Sequence, residues 1–289
     1  MKIIDTTTFY KENMMLELRF NMLDQYVDYF VICESKYSHS GNKKKLFFDY
    51  KKFNKFKKKI IYLVVENEPD EIVFKKNNHV LNERSNSIVR ISHQRDFIRN
   101  ALENFSSNDF VLHSDNDEIP NLSNLNFKKL NEKILIFKQK LFYFKFNLQL
   151  PSVDWFGTKG CRVKDLKSIV WLRNIKNKKY NFFRFDTFFS KYKFKDLKII
   201  DNGGWHFSNL KNIDDLRDKY LNDENHAEYS KFMNLEKITS DVLNWEISYD
   251  HHADKKIDKF KKVKLSKVVK SELPEYLKKN LHKYKDWFV

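Results

Sequence analysis

Short apolar runs alternate with stretches of helical periodicity through residues 1–120, and this alternation restricts the possible folds more than any other property of the chain. Residues 2–6, 29–34 and 59–65 are short and rich in Ile, Val and Tyr, which suits strands. Between the first two, residues 12–24 carry Met15, Leu18, Met22 and Leu23 at helical spacing. Residues 86–105 bring back Ile88, Ile91, Phe97, Ile98, Leu102 and Phe105 every three or four positions, predicting a helix that leads into a fourth run. Strands alternating with helices imply an α/β fold with a mostly parallel central sheet and helices on both faces. The second half changes character. Residues 134–138 and 142–149 are aromatic and β-branched, as in strands of a smaller or antiparallel extension. Helices are expected from Asn212 onward, with a main domain over residues 1–250 and a basic helical C-terminal extension over 251–289.

The fourth run, Asp109-Phe-Val-Leu-His-Ser, ends abruptly in Asp115, Asp117 and Glu118, with Pro120 just after. Open α/β sheets bind ligands at the carboxyl ends of their strands, and two aspartates one residue apart can put hard oxygen ligands on a divalent cation carrying a diphosphate. Taken without context, Asp-X-Asp is more often an ordinary turn; the buried-looking strand before it favours the metal and nucleotide-sugar reading. The chain has no Gly-x-Gly-x-x-Gly and no Walker loop, so phosphates must be held in another way.

Other residues suit such a site. Arg95 and Arg99 lie four apart on one helix face and could hold a diphosphate, or else pair with Asp96 and Glu103 on the surface. Glu34 ends the second run, where a carboxylate could accept from a base or ribose. The segment Asp201-Asn-Gly-Gly-Trp-His-Phe-Ser holds two of the chain's 5 glycines. It reads as a loop that brings Trp205 and His206 to a ligand. His206 suits a transition metal such as Mn²⁺, although a lone His among aromatics is more often packed in a core. Asn225-His-Ala-Glu228 adds a second His and carboxylate, or a solvated helix surface. Trp155, Trp205 and Tyr229 could stack on pyranose faces, while most of the 27 Phe must be core.

A formal charge of +16 invites a nucleic-acid partner. The lysines are scattered in short runs, however, so no nucleic acid is expected, and phosphorylated substrates or an anionic membrane would use the same charge. Cys33 and Cys161 form neither zinc spacing nor a disulfide framework. With no signal-peptide core and no apolar run long enough to span a bilayer, the expected location is cytoplasmic or peripheral on the inner face of the membrane.

Several ordered stretches resemble glycosyltransferase family 17, typified by the β-1,4-mannosyl-glycoprotein 4-β-N-acetylglucosaminyltransferase. They are Asp5-Thr-Thr-Thr-Phe-Tyr with Glu17-Leu-Arg19, Asn21 and Leu23; Asp28-Tyr-Phe-Val-Ile-Cys-Glu34 with Ser40-Gly41 and Lys45-Leu46; and Gln94-Arg95 with Arg99-Asn100-Ala101. The two most specific are Ser114-Asp-Asn-Asp-Glu-Ile-Pro120 and Gly204-Trp-His-Phe-Ser208 followed by His226-x-Glu228. The resemblance covers most of residues 1–230. It implies a GT-A-type nucleotide-diphospho-sugar transferase fold and metal-dependent, inverting transfer of GlcNAc or a related hexose from a UDP-sugar. By the same analogy Asp115 and Asp117 hold the diphosphate and Mn²⁺ (or Mg²⁺), with His206 completing the metal shell. Asn116 departs from the apolar residue frequent at that position.

The expected acceptor is a glycan or lipid-linked oligosaccharide, in bacterial surface-polysaccharide or lipopolysaccharide synthesis. Asp201 and Glu228 are the candidate catalytic bases, with Asp154 and Asp186 also available. The rival reading is a basic nucleic-acid-binding or metal-dependent nuclease-like module.

Overall fold

The computed structural model describes residues 1–72, 79–181, 183–223, 226, 229, 234–248 and 262–289. Its sheet contains strands β1 (Ile3–Phe9), β2 (Tyr29–Ser35), β3 (Ile60–Val65), β4 (Phe110–His113), β5 (Glu118–Pro120), β6 (Ile134–Tyr143), β7 (Leu148–Arg162), β8 (Leu197–Ile200) and β9 (Gly204–Ser208). The order is β3-β2-β1-β4-β7-β6-β9-β5, with β8 on β6 and the two-residue strand Ser266–Lys267 on β7. The first four of that order are mutually parallel, as the alternation predicts. From β7 onward the sheet is mixed: β7 is antiparallel to both β4 and β6, β9 is parallel to β6, and β5 is antiparallel to β9.

Helices cover both faces, as expected. Alternate residues of a strand point to opposite sides, and β2 divides accordingly. Phe30 and Ile32 pack with Leu16, Leu18 and Phe20 of α1 (Asn13–Leu23). Val31 and Cys33 pack with Ala101 and Leu102 of α3 (Arg99–Leu102) and with Ile169 and Leu172 of α4 (Ile169–Asn174). The predicted helix over 86–105 is two pieces: α2 (His79–Phe97) precedes α3, with Ile98 between them. Gln94 ties α2 to the sheet by donating to the Cys33 carbonyl at 2.8 Å. A third apolar cluster, including Leu141, Leu148 and Leu216, packs α5 (Ile213–Asn222) and the helix Leu235–Asn244 against the far part of β6 and β7.

Two expectations change. The Gly-Gly-Trp-His segment is strand β9 rather than a loop, because it pairs with β5 in the register Ile119 to Trp205 and Glu118 to His206. Gly204 makes this possible. Its φ is +130°, and a Cβ there would lie 2.2 Å from the Ile119 carbonyl oxygen, closer than any side chain permits.

The chain end is also less separate than a helical extension. Ser266–Lys267 pairs with Leu148 and Gln149, Glu275–Lys279 is a single short helix, and Leu277 and Tyr284 are buried in the same core as Phe146. The expected boundary at 250/251 lies outside the described residues.

Candidate active site

A buried charge shapes the acidic turn. Arg19 of α1 has no solvent exposure. Its Nε and Nη2 donate to the two carboxylate oxygens of Asp5 at 2.7 and 2.6 Å. Nη2 also reaches Ser114 Oγ at 2.7 Å, and Nη1 donates to the carbonyls of Asp115 and Glu118 at 3.2 and 2.9 Å. Such a pair adds little net stability, whereas stranding one member costs about 3–5 kcal/mol. Its effect here is geometric: the backbone of residues 114–118 is held to β1 and α1 at the carboxyl edge of the parallel strands.

That edge opens into a cleft of about 550 Å³ lined by Thr8, Phe9 and Ser35 from the strand ends, the turn itself, and Arg95, Trp155, Arg173, His206 and Lys219. The three acids are held differently. Asp115 Oδ1 accepts from Arg95 Nη2 at 2.8 Å and Oδ2 from Arg173 Nη2 at 2.9 Å. Burial would raise its carboxyl, but the charges of Arg173 and Arg95 override this and hold it far below the usual range. Glu118 is buried and fully occupied. Arg173 grips it with two 2.6 Å bonds, Trp155 Nε1 donates at 2.6 Å, and the Asp115 amide at 2.9 Å. Asp117 stands 3.5 Å from His206 Nε2. Burial again pushes its carboxyl up and the imidazole more than reverses the shift.

Arg173 is itself positioned from behind. Lys159 of β7 is buried and donates to the carbonyls of Arg173 and Ile175 at 2.7 and 2.5 Å, closing the end of α4. Burial, together with the nearby Arg173 charge, brings the Lys159 ammonium down to about 7. On the opposite wall Glu12 accepts from Lys211 at 2.9 Å. Burial opposes ionisation there, yet Lys211 lowers the carboxyl to about 2. His39 also lines the cleft, and burial, only partly offset by Asp223, lowers its imidazole below the ordinary value.

The cleft thus gathers Asp115, Asp117, His206 and Arg95 as expected, and leaves out other candidates. Glu34 does not face it: its oxygens accept from Lys44, Tyr62 and the amides of Phe47 and Phe48 at 2.7 to 3.0 Å, so it anchors the loop after β2 instead of a base or ribose. Arg99 is exposed on α3, displaced from the Arg95 face by the break at Ile98. Trp205 alternates to the opposite side of β9 from His206 and donates to the Glu272 carbonyl at 3.2 Å; Trp155, with its ring centroid 4.8 Å from that of His206, takes its place. Asp201 is exposed in the turn before β9 and is absent from the cleft lining. Asp154 pairs with Lys138, and Asp186 with Arg184 and Lys193, both away from the cleft. Glu228 lies outside the described residues.

The expected three-ligand metal centre is not assembled. Among the described residues no three His, Cys, Asp or Glu side chains are grouped so as to hold a metal ion. Asp115 gives each of its oxygens to a guanidinium, while Asp117 stands beside His206.

Sequence reasoning missed Arg173, Lys159 and the fixing role of Arg19. Arg173 sits on a six-residue helix with no periodicity to reveal it, and Lys159 is one of 55 Lys and Arg with nothing in the sequence to mark it as buried.

No helix among the described residues is long and apolar enough to cross a membrane. No curated protein matches the chain. Among solved structures, HddC from Yersinia pseudotuberculosis is similar at 12% identity with a TM-score of 0.32, over 70% of this chain and 92% of HddC. HddC complexed with GMP-PN gives 13% and 0.30, over 69% and 91%. Overlap this loose carries no argument about chemistry. The sequence profile of glycosyltransferase family 17 matches residues 1–288, essentially the whole chain, so the protein belongs to glycosyltransferase family 17 and is a glycosyltransferase.

Proposed function

We propose that the protein transfers GlcNAc or a related hexose, with inversion, from a UDP-sugar to a glycan or lipid-linked oligosaccharide, using a GT-A-type fold, in bacterial surface-glycan synthesis. One observation carries the reading: Arg95 and Arg173 converge on Asp115 in a cleft at the carboxyl edge of the parallel strands, beside Asp117 and His206. A departing nucleoside diphosphate needs positive charge fixed in advance, and Lys211 and Lys219 line the cleft together with the braced Arg95 and Arg173.

The hard oxygen of Asp117 and the imidazole of His206 fit Mn²⁺ or Mg²⁺ as two ligands, with the remaining positions left to donor oxygens and water. When bound, such a cation supplies further charge stabilisation to the leaving diphosphate. Asp115 serves as the brace that aims Arg95 and Arg173. Trp155 offers an aromatic face to the sugar. The acceptor hydroxyl attacks the anomeric carbon as the bond to UDP breaks, its electrons leaving with the diphosphate. Its proton passes to a base, which we place at His39 on the cleft wall in preference to the exposed Asp201. One displacement of this kind needs no enzyme nucleophile.

The test is UDP release by the full chain from a panel of UDP-sugars, with and without Mn²⁺. Metal-stimulated release from at least one donor is expected, with about a hundredfold loss in Asp117→Asn. Failure to bind or hydrolyse any UDP-sugar refutes the donor assignment, and unchanged turnover in Asp117→Asn removes the metal role.

A further inference from the structure

Directly after α4 the chain forms a loop, residues 176–195, of unusual composition: seven Lys and Arg, one acid, and six Phe interleaved among them. The described residues of this stretch are tied together by hydrogen bonds. The Lys176 amide donates to the Tyr192 carbonyl at 2.8 Å, Trp171 Nε1 to the Lys191 carbonyl at 2.9 Å, and Thr187 Oγ1 to the Arg184 carbonyl at 2.7 Å. Yet four of its phenylalanines face outward. Phe183, Phe185, Phe188 and Phe189 are 75%, 70%, 72% and 92% exposed, and every other Phe whose side chain is described is buried or half-buried. Monomeric soluble proteins rarely expose large contiguous apolar patches, and large ones rimmed by polar residues mark interaction sites.

The surrounding charge identifies the partner. Lys178, Lys179, Arg184 and Lys191, which flank these phenylalanines in sequence, are exposed. The only acid, Asp186, is neutralised by Arg184 at 2.8 Å and Lys193 at 2.6 Å. Lys195 Nζ lies 4.4 Å from the Phe188 ring centroid, so cation and ring form one surface. An apolar protein partner would match the phenylalanines and leave the cations idle, whereas a nucleic acid would match the cations and leave several rings in water. An anionic bilayer accommodates both, with rings in the acyl boundary and cations at the headgroups.

We infer that residues 176–195 are an interfacial anchor that docks the protein on an anionic lipid surface through Phe185, Phe188 and Phe189, with the flanking Lys and Arg contacting headgroups. The loop can dock whatever reaction the cleft performs. The loop leaves the helix that carries Arg173, so docking brings the cleft close to a lipid-borne acceptor.

The experiment is co-sedimentation of the full chain with vesicles of phosphatidylcholine alone or mixed equally with phosphatidylglycerol. Wild type is expected to bind the mixed vesicles at least about tenfold more tightly, with binding weakened by salt. Phe185→Ser/Phe188→Ser/Phe189→Ser should lose about a hundredfold in partitioning. Lys178→Glu/Lys179→Glu should lose about tenfold on the mixed vesicles and little on the neutral ones. Phe189→Trp reads insertion without removing the anchor: the indole emission at that position should shift to the blue with mixed vesicles. Wild type that binds neither vesicle, a triple variant that binds as wild type does, or a Phe189→Trp variant whose emission stays unmoved overturns the proposal. So does a wild-type oligomer that the triple variant converts to monomer without any vesicle binding, which would assign the rings to a second copy of the chain.

Discussion

Replacing Arg173 with alanine should be among the most damaging single changes near the cleft, for a reason that concerns Glu118. Arg173 gives that carboxylate two 2.6 Å bonds, donates a third to Asp115, and closes on the Gly157 carbonyl at 2.7 Å. The Glu118 side chain is only 1% exposed. Without Arg173 it keeps the Trp155 N–H and the Asp115 amide but has no compensating cation, the situation in which breaking a buried pair costs about 3–5 kcal/mol. For a chain of this size each kcal/mol corresponds to about 2–4 °C in Tm, so Arg173→Ala should melt some 6–20 °C below wild type. Calorimetry or circular-dichroism melting reads this directly. The decisive companion is Arg173→Ala/Glu118→Gln. A neutral amide still accepts from Trp155 and carries no stranded charge, so the double variant should regain at least half of the lost Tm. A drop under about 2 °C in the single variant, or simple additivity in the double, would refute the account of Arg173 as the counter-charge of Glu118.

Gly204→Ala should lower Tm by several degrees, because alanine at φ +130° is strained and its methyl would meet the Ile119 carbonyl; a wild-type melting curve would contradict the proposed need for glycine there. Asp201→Asn should leave UDP release within about twofold of wild type, as expected of an exposed turn residue, and a loss beyond tenfold would restore it as the base. Acid titration of stability tests Glu12. Its folded value near 2 lies below the usual 4.5, so its contribution is complete above pH 4.5 and is lost as the pH falls toward 2. Wild type should therefore exceed Glu12→Gln in stability at pH 6, and the gap should narrow steadily below pH 4.5 and largely close only near pH 2; a gap that does not change with pH would remove the Lys211 pairing as its source.

The parallel half of the sheet was legible because β1, β2 and β3 are short, apolar and separated by turns and helical periodicity, the signal that burial on both faces writes into a sequence. The antiparallel half was less so. Residues 134–138 and 142–149 read as two strands where β6 runs unbroken to Tyr143 and β7 extends from Leu148 to Arg162, because Gly157, Gly160 and the polar residues of β7 interrupt any simple alternation. The acidic turn was found from its own residues, since three carboxylates after an apolar strand are locally unusual. What surrounds it was not. Arg173 and Trp155 reach the turn across separations of 58 and 37 residues, and Glu34 looked available only because the four donors that occupy it come from Lys44, Phe47, Phe48 and Tyr62. Local pattern reports an element's period and burial; it carries no information about which distant donor spends an acceptor.

The six residues of α4 bear on two surfaces. One end fixes Arg173, whose guanidinium reaches the acidic turn and whose carbonyl is held by Lys159, and the aromatic loop departs two residues later. A phosphate ligand that orders the guanidinium and a lipid surface that orders the loop would therefore draw on the same short stretch of backbone. Free energy shared in this way is reciprocal. If vesicles tighten UDP binding by some factor, UDP must tighten vesicle binding by that same factor, so this short helix would register a filled donor site as a longer residence on the membrane.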